Sequence, residues 1–171
     1  MTPVVRDERV AEYVRSFAWR AAQGRLVRRW VNVIEGKAPS REAAVALTAV
    51  LLVELSVRSR AARALEWLWR WALLSFHIAA GRQATVGPLQ LRDGVWSRPE
   101  AVRLGLDLLL KQPAPAMDMD RLAERWNGRV EGGAPSPAYV AALEAAMPFA
   151  ERLVEATASS KPGFGAGKGT R

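Results

Sequence analysis

The chain contains no cysteine. No disulfide framework can staple it, and no thiolate can serve as a metal ligand or nucleophile. The composition therefore fits a reducing compartment. Histidine is almost as scarce: the single one, His77, sits in an apolar helical run with no second histidine near it. That excludes two-histidine metal spacings and leaves a Ser/His/Asp triad without support. The plain reading of His77 is a core or interface residue. No metal-ligand spacing occurs elsewhere, and no motif asks for a cofactor, so neither is expected. Long hydrophobic runs are also missing. The most apolar stretch, Ala43 to Val53, stops at Glu54, well short of the roughly 20 residues a bilayer requires. The opening residues, Met1-Thr2-Pro3-Val4-Val5-Arg6-Asp7-Glu8-Arg9, hold no apolar core of the kind an export signal needs. The expectation is a protein made soluble in the cytoplasm.

What is present points to one folded body. The chain has 171 residues, half of them hydrophobic, with 7 tryptophans, enough for a single domain with a real core. Lys and Arg number 25 against 17 Asp and Glu, a net charge of +8, and nearly all the cations are arginine. Such a chain is drawn to polyanions: nucleic acid, anionic lipid or an acidic polymer. Charge alone does not choose among them.

Apolar residues recur at helical spacing along most of the chain. Val10, Tyr13, Val14, Phe17, Ala18 and Ala21 mark a helix over 8–22 that Gly24 closes, and Leu26, Val27, Trp30, Val33 and Ile34 mark another over 25–34. Ser40 is a good N-cap for a third, which is apolar on nearly every face to Val53 and so should be central. A fourth is expected over 59–80. Ser97 and Glu100 form a capping box for a helix to about Lys111, before Pro113 and Pro115. Asp118 caps a short helix over 119–126. Ser136 and Pro137 open the last, over 137–156. No segment alternates convincingly as a strand. The predicted fold is all-α: one helical domain over 1–156, then a Gly-rich, basic and acid-free tail over 157–171 that reads as disordered. Gly163 to Gly169 looks like a phosphate loop but follows no strand and opens no helix, so that reading fails on context.

Two features stand out as candidate chemistry. The first is the polar and Gly/Pro loop Thr85-Val86-Gly87-Pro88-Leu89-Gln90-Leu91, set between helical regions where sites tend to sit. Gln90 offers an amide donor and a carbonyl acceptor, suited to a polyhydroxylated or amide-bearing ligand. The second is Glu54, an acid at the C-terminal end of an apolar helix. Burial and the negative end of the helix dipole both favour its protonated form, which is what a general acid requires. The bland alternative is a helix-end glutamate paired with Arg58. Trp67, Trp69 and Trp71 spread around their helix, which suits a core with a partner surface better than a base-stacking platform. Arg58, Arg60, Arg63 and Arg70 either line a groove for a polyanion or simply solvate the helix.

Taken in order, these pieces resemble the lysozyme-like fold of goose-type lysozymes and lytic transglycosylases over about residues 40–150. An apolar helix ends in Glu54. Thr85-Val86-Gly87-Pro88-Leu89-Gln90 resembles the family loop of a small hydroxyl residue, then Gly, then Gln. Arg125-Trp126-Asn127-Gly128 resembles the family's tyrosine-asparagine motif, with Trp126 in place of the tyrosine, and Tyr139 starts the last helix where such proteins often place an aromatic. The resemblance implies that Glu54 is the catalytic acid, protonating the glycosidic oxygen between N-acetylmuramic acid and N-acetylglucosamine. It implies that Thr85, Gln90 and Asn127 bind or orient the sugar, and that Trp126 and Tyr139 shape the cleft. The implied partner is peptidoglycan, reached through another export system, with other polyanions as further partners.

A hydrolase needs a second carboxylate to activate water or attack the sugar. Glu66 and Asp93 are the nearest candidates, and neither sits in a convincing motif. One clear acid favours the transglycosylase route, in which a single glutamate serves as acid and then base. Two alternatives stay open: a catalytically degenerate protein that keeps the fold and binds glycan, and a basic helical module that binds nucleic acid or anionic membrane.

Overall fold

The computed structural model describes residues 3–57, 85–86, 89, 91–92, 97–110, 118–127 and 135–160. These are predominantly helical, as the spacing predicts. In chain order they form α1 (Pro3–Ala22), α2 (Arg25–Lys37), α3 (Arg41–Val57), β1 (Thr85–Val86), β2 (Leu91–Arg92), α4 (Arg98–Leu110), α5 (Met119–Asn127) and α6 (Pro137–Ser159). The helix expected over 59–80 lies outside the described residues.

The core is built around α3. Every side chain from Ala43 through Val53 is buried, so the helix lacks a solvent face over that length, as a helix apolar all round must. α6 packs along α3 and α1 and also meets α2 and α5, while α4 leans on α2 and α3. Alanines supply much of the closely packed surface: Ala46 and Ala49 on α3, and Ala142, Ala146 and Ala150 on α6, are all buried. Such small side chains allow helix axes to approach closely. α2 shows the simpler amphipathic pattern. Val27, Trp30, Val31 and Ile34 are buried, and Arg25, Arg28 and Arg29 are exposed on the other side.

The starts of these helices were legible in their caps. The Ser40 hydroxyl accepts the Ala43 N–H at 3.2 Å, and the Asp118 carboxylate accepts the Arg121 N–H at 3.1 Å. At Ser97 the capping box closes through side chains: its hydroxyl accepts the Glu100 N–H at 3.4 Å and donates to the Glu100 carboxylate at 3.3 Å. Pro137 takes the first position of α6. A second proline, Pro148, lies inside α6. It removes the N–H that Glu144 would have bonded, but both residues are exposed, so water can satisfy the freed carbonyl.

Two helix boundaries and one loop differ from expectation. α1 begins at Pro3, not at residue 8, because proline suits the first turn of a helix. α6 continues to Ser159, three residues past the helix end expected at 156: Thr157 is buried and the Ser160 N–H still reaches the Ala156 carbonyl. The rest of the expected tail lies outside the described residues. The loop at 85–92 also contains a short antiparallel ladder, Thr85 opposite Arg92 and Val86 opposite Leu91. Two residues per strand are too few to show alternation.

Among the described residues two buried side-chain atoms lack a hydrogen-bond partner, Thr48 Oγ1 and Arg125 Nη2. Thr48 is fully enclosed in α3, and its hydroxyl has no hydrogen-bond partner among the described residues. A buried orphan hydroxyl costs about 1–3 kcal/mol. Thr48→Val keeps the shape and removes the polar atom, so the urea midpoint should rise, by a stability gain of about 1 kcal/mol. A lower midpoint would mean that the hydroxyl is satisfied in solution.

Candidate active site

Glu54 stands in the last turn of α3 and is half-buried. Ala43 through Val53 bury every side chain, and Glu54 is the one half-buried position before Leu55 and Ser56, which are buried again.

Tyr139 reaches it from the other end of the chain. Ser136 and Pro137 start α6 so that Tyr139 falls in its first turn. The ring is only 8 % exposed. Its hydroxyl donates to Glu54 Oε1 at 2.6 Å, across 85 positions of sequence, a distance typical of a charge-assisted bond. Burial first, then the Glu54 charge and the bond itself, hold the Tyr139 phenol far above its usual pKa. Tyr139 therefore stays protonated and acts as a fixed donor that sets the direction of one carboxylate oxygen.

A second set of contacts holds the 85–92 hairpin. Leu89, between the two strands, is 1 % exposed. Its carbonyl accepts the indole N–H of Trp126, at the end of α5, at 3.0 Å. Its side chain lies against Gly105 of α4: a Cβ there would stand 3.4 Å from Leu89 Cδ1 and 3.0 Å from Leu47 Cδ1. Gly105 therefore gives α4 a notch that seats both leucines. The next residue toward the start of α5, Arg125, donates through Nη1 to the Leu109 carbonyl, one of the carbonyls a helix leaves without an internal partner at its end. The end of α5 thus clamps the hairpin with Trp126 and α4 with Arg125.

The structure therefore joins Glu54 to Tyr139, and Trp126 to the glutamine loop through Leu89. Thr85 lies in β1 and Asn127 closes α5, and for both only the backbone is described. Gln90, the second carboxylates Glu66 and Asp93, and Arg58 lie outside the described residues. Among the described residues no three His, Cys, Asp or Glu side chains gather as a metal site, and no helix is long and apolar enough to cross a membrane.

Sequence reasoning quoted Leu89 and Arg125 within their motifs without giving either a role, and passed over Gly105. Gly105 had a signal, because an isolated glycine in a helical pattern costs about 1 kcal/mol against alanine and so usually has a packing reason. Gly105→Val should push Leu47 and Leu89 out of their seats. The expected loss is about 1–3 kcal/mol, read as a lower urea midpoint with an unchanged slope. An unshifted midpoint would show that the notch does not seat the loop. Comparison with protein-family models, with curated proteins and with solved structures finds no match for this chain.

Proposed function

We propose that this chain is a peptidoglycan-cleaving glycosidase with a divergent lysozyme-like fold. It cuts the bond between N-acetylmuramic acid and N-acetylglucosamine by the lytic-transglycosylase route. The observation that carries this reading is the 2.6 Å bond from Tyr139 to Glu54. The resemblance puts an acid at the end of an apolar helix and an aromatic at the start of the last helix in one cleft. Here the two side chains meet, although nothing local in sequence requires it. The link from Trp126 to Leu89 adds support, since it joins the asparagine motif to the glutamine loop.

In this reading the reactive form of Glu54 carries its proton on the carboxyl oxygen that Tyr139 does not bond, and gives it to the glycosidic oxygen as the bond to the muramic anomeric carbon breaks. The carboxylate left behind then accepts the proton of the muramic 6-hydroxyl as that oxygen attacks the same carbon. The products are a chain ending in N-acetylglucosamine and a 1,6-anhydromuramic end, with no water consumed. Tyr139 holds the carboxylate in place through both steps. Thr85, Gln90 and Asn127 contact the sugar, and Trp126 keeps the loop that bears Gln90 in register. The +8 charge favours an anionic polymer.

The test is incubation of the purified protein with isolated murein. The expected result is falling turbidity and release of muropeptides with 1,6-anhydro ends. Reducing ends in their place would replace the transglycosylase route by hydrolysis. Sedimentation with murein without any release would replace the enzyme by a glycan-binding protein of the same fold.

A further inference from the structure

We propose that the corner between α1 and α2 is a docking site for an anionic membrane surface. The inference does not depend on the glycosidase reading. It begins with a charge asymmetry. Between Glu12 and Glu35 the chain carries no acid, and Arg15, Arg20, Arg25, Arg28 and Arg29 are all exposed. Four of these five stand within five residues of Gly24, the junction of the two helices. Arg25 and Arg29 have no ion-pair partner among the described residues. Among the described residues the Arg28 Nε donates to a carbonyl, that of Ala22, at 3.5 Å.

Charge alone would suit any polyanion. The same corner also presents two large apolar side chains to solvent. Trp19, in the last turn of α1, is 58 % exposed, and Leu26, in the first turn of α2, is 50 % exposed. Their sequence neighbours Ala18 and Val27 are buried, so the core is already closed beneath them. An isolated exposed apolar residue needs no explanation. A tryptophan and a leucine standing out among four arginines match the chemistry of a lipid interface. There the indole sits at headgroup level, leucine enters the acyl boundary and guanidinium groups bind phosphate. Nucleic acid would use the arginines and could stack on Trp19, but it has no use for Leu26.

The corner is closed by a backbone hydrogen bond. The Gly24 N–H bonds the Ala21 carbonyl at 2.8 Å, and a Cβ on Gly24 would stand 3.1 Å from that oxygen. The turn between the two helices is therefore tight.

The test is sedimentation of the full chain with vesicles of phosphatidylcholine, with and without phosphatidylglycerol. The expected result is binding only to the anionic vesicles. Arg25→Gln with Arg29→Gln should weaken it by roughly tenfold or more, at about one kcal/mol per basic residue near the surface. Trp19→Ser with Leu26→Ser should weaken it too, and the residual binding should then vanish at high salt, where wild type still holds. All four side chains are exposed, so unchanged circular dichroism and melting are expected of both variants. No sedimentation with anionic vesicles, or no loss in the arginine variant, would overturn the proposal. So would a serine variant that binds as wild type while the arginine variant loses retention on DNA, which would assign the corner to nucleic acid.

Discussion

Glu54→Gln is expected to lose at least about 100-fold of its murein-cleaving rate, the low end of what a positioned general acid contributes, while still sedimenting with murein. Glutamine is the informative substitution because it keeps the length and one carbonyl oxygen. That oxygen can still accept the Tyr139 hydroxyl, which now meets Glu54 Oε1 at 2.6 Å, so the end of α3 and the start of α6 should stay joined. What the amide lacks is an acidic proton to give and a charge with which to take one back. A melting temperature close to wild type with the rate gone would separate chemistry from folding. Glu54→Asp offers a second check. The carboxylate remains but withdraws by one methylene, away from Tyr139 and from any substrate oxygen, so the rate should fall there as well. A Glu54→Gln protein that clears murein as fast as wild type would remove Glu54 from the mechanism.

The helices of this chain were legible because their determinants are local. Ser40, Ser97 and Asp118 mark starts by what their oxygens accept three residues on, and α3 declares itself central by having no polar face. The contacts that make the site are of another kind. Tyr139 and Glu54 are separated by 85 residues, and Trp126 and Leu89 by 37, and no periodicity reports a pairing at that range. The resemblance placed Tyr139 in the cleft as a wall. The structure shows its hydroxyl donating to the Glu54 carboxylate. The Trp126 indole N–H is likewise spent on the loop backbone, at the Leu89 carbonyl. Gly105 was visible as a letter but not as a notch, because its reason lies in Leu47 and Leu89 on other elements.

Removing the Tyr139 hydroxyl should expose that donor role in two separate measurements. In Tyr139→Phe the half-buried Glu54 carboxylate loses a charge-assisted bond, worth about 1.5–3 kcal/mol. The ionised form of Glu54 becomes less favourable, so the limb of the pH–rate profile that reports it should move to higher pH. A ring that merely filled space would leave that limb where it is. The second measurement is stability at alkaline pH. The Tyr139 phenol is raised in the folded protein by burial first and then by the charge of Glu54 and its hydrogen bond. Below about pH 10, the usual tyrosine pKa, the folded and unfolded chains both hold the proton and this residue adds no pH dependence. Above it the unfolded chain releases the proton and the folded chain keeps it. Folding then binds a proton that is becoming scarce, and stability falls by about 1.4 kcal/mol for each pH unit. Phenylalanine has no such proton. The difference between the wild-type and Tyr139→Phe urea midpoints should therefore shrink as pH rises from about 9 to about 11, and the contribution of Tyr13 cancels in the comparison. A constant difference across that range would mean that Tyr139 ionises in the folded protein as it does in water. It would then be no buried donor, and Glu54 would have to be held in place by something else.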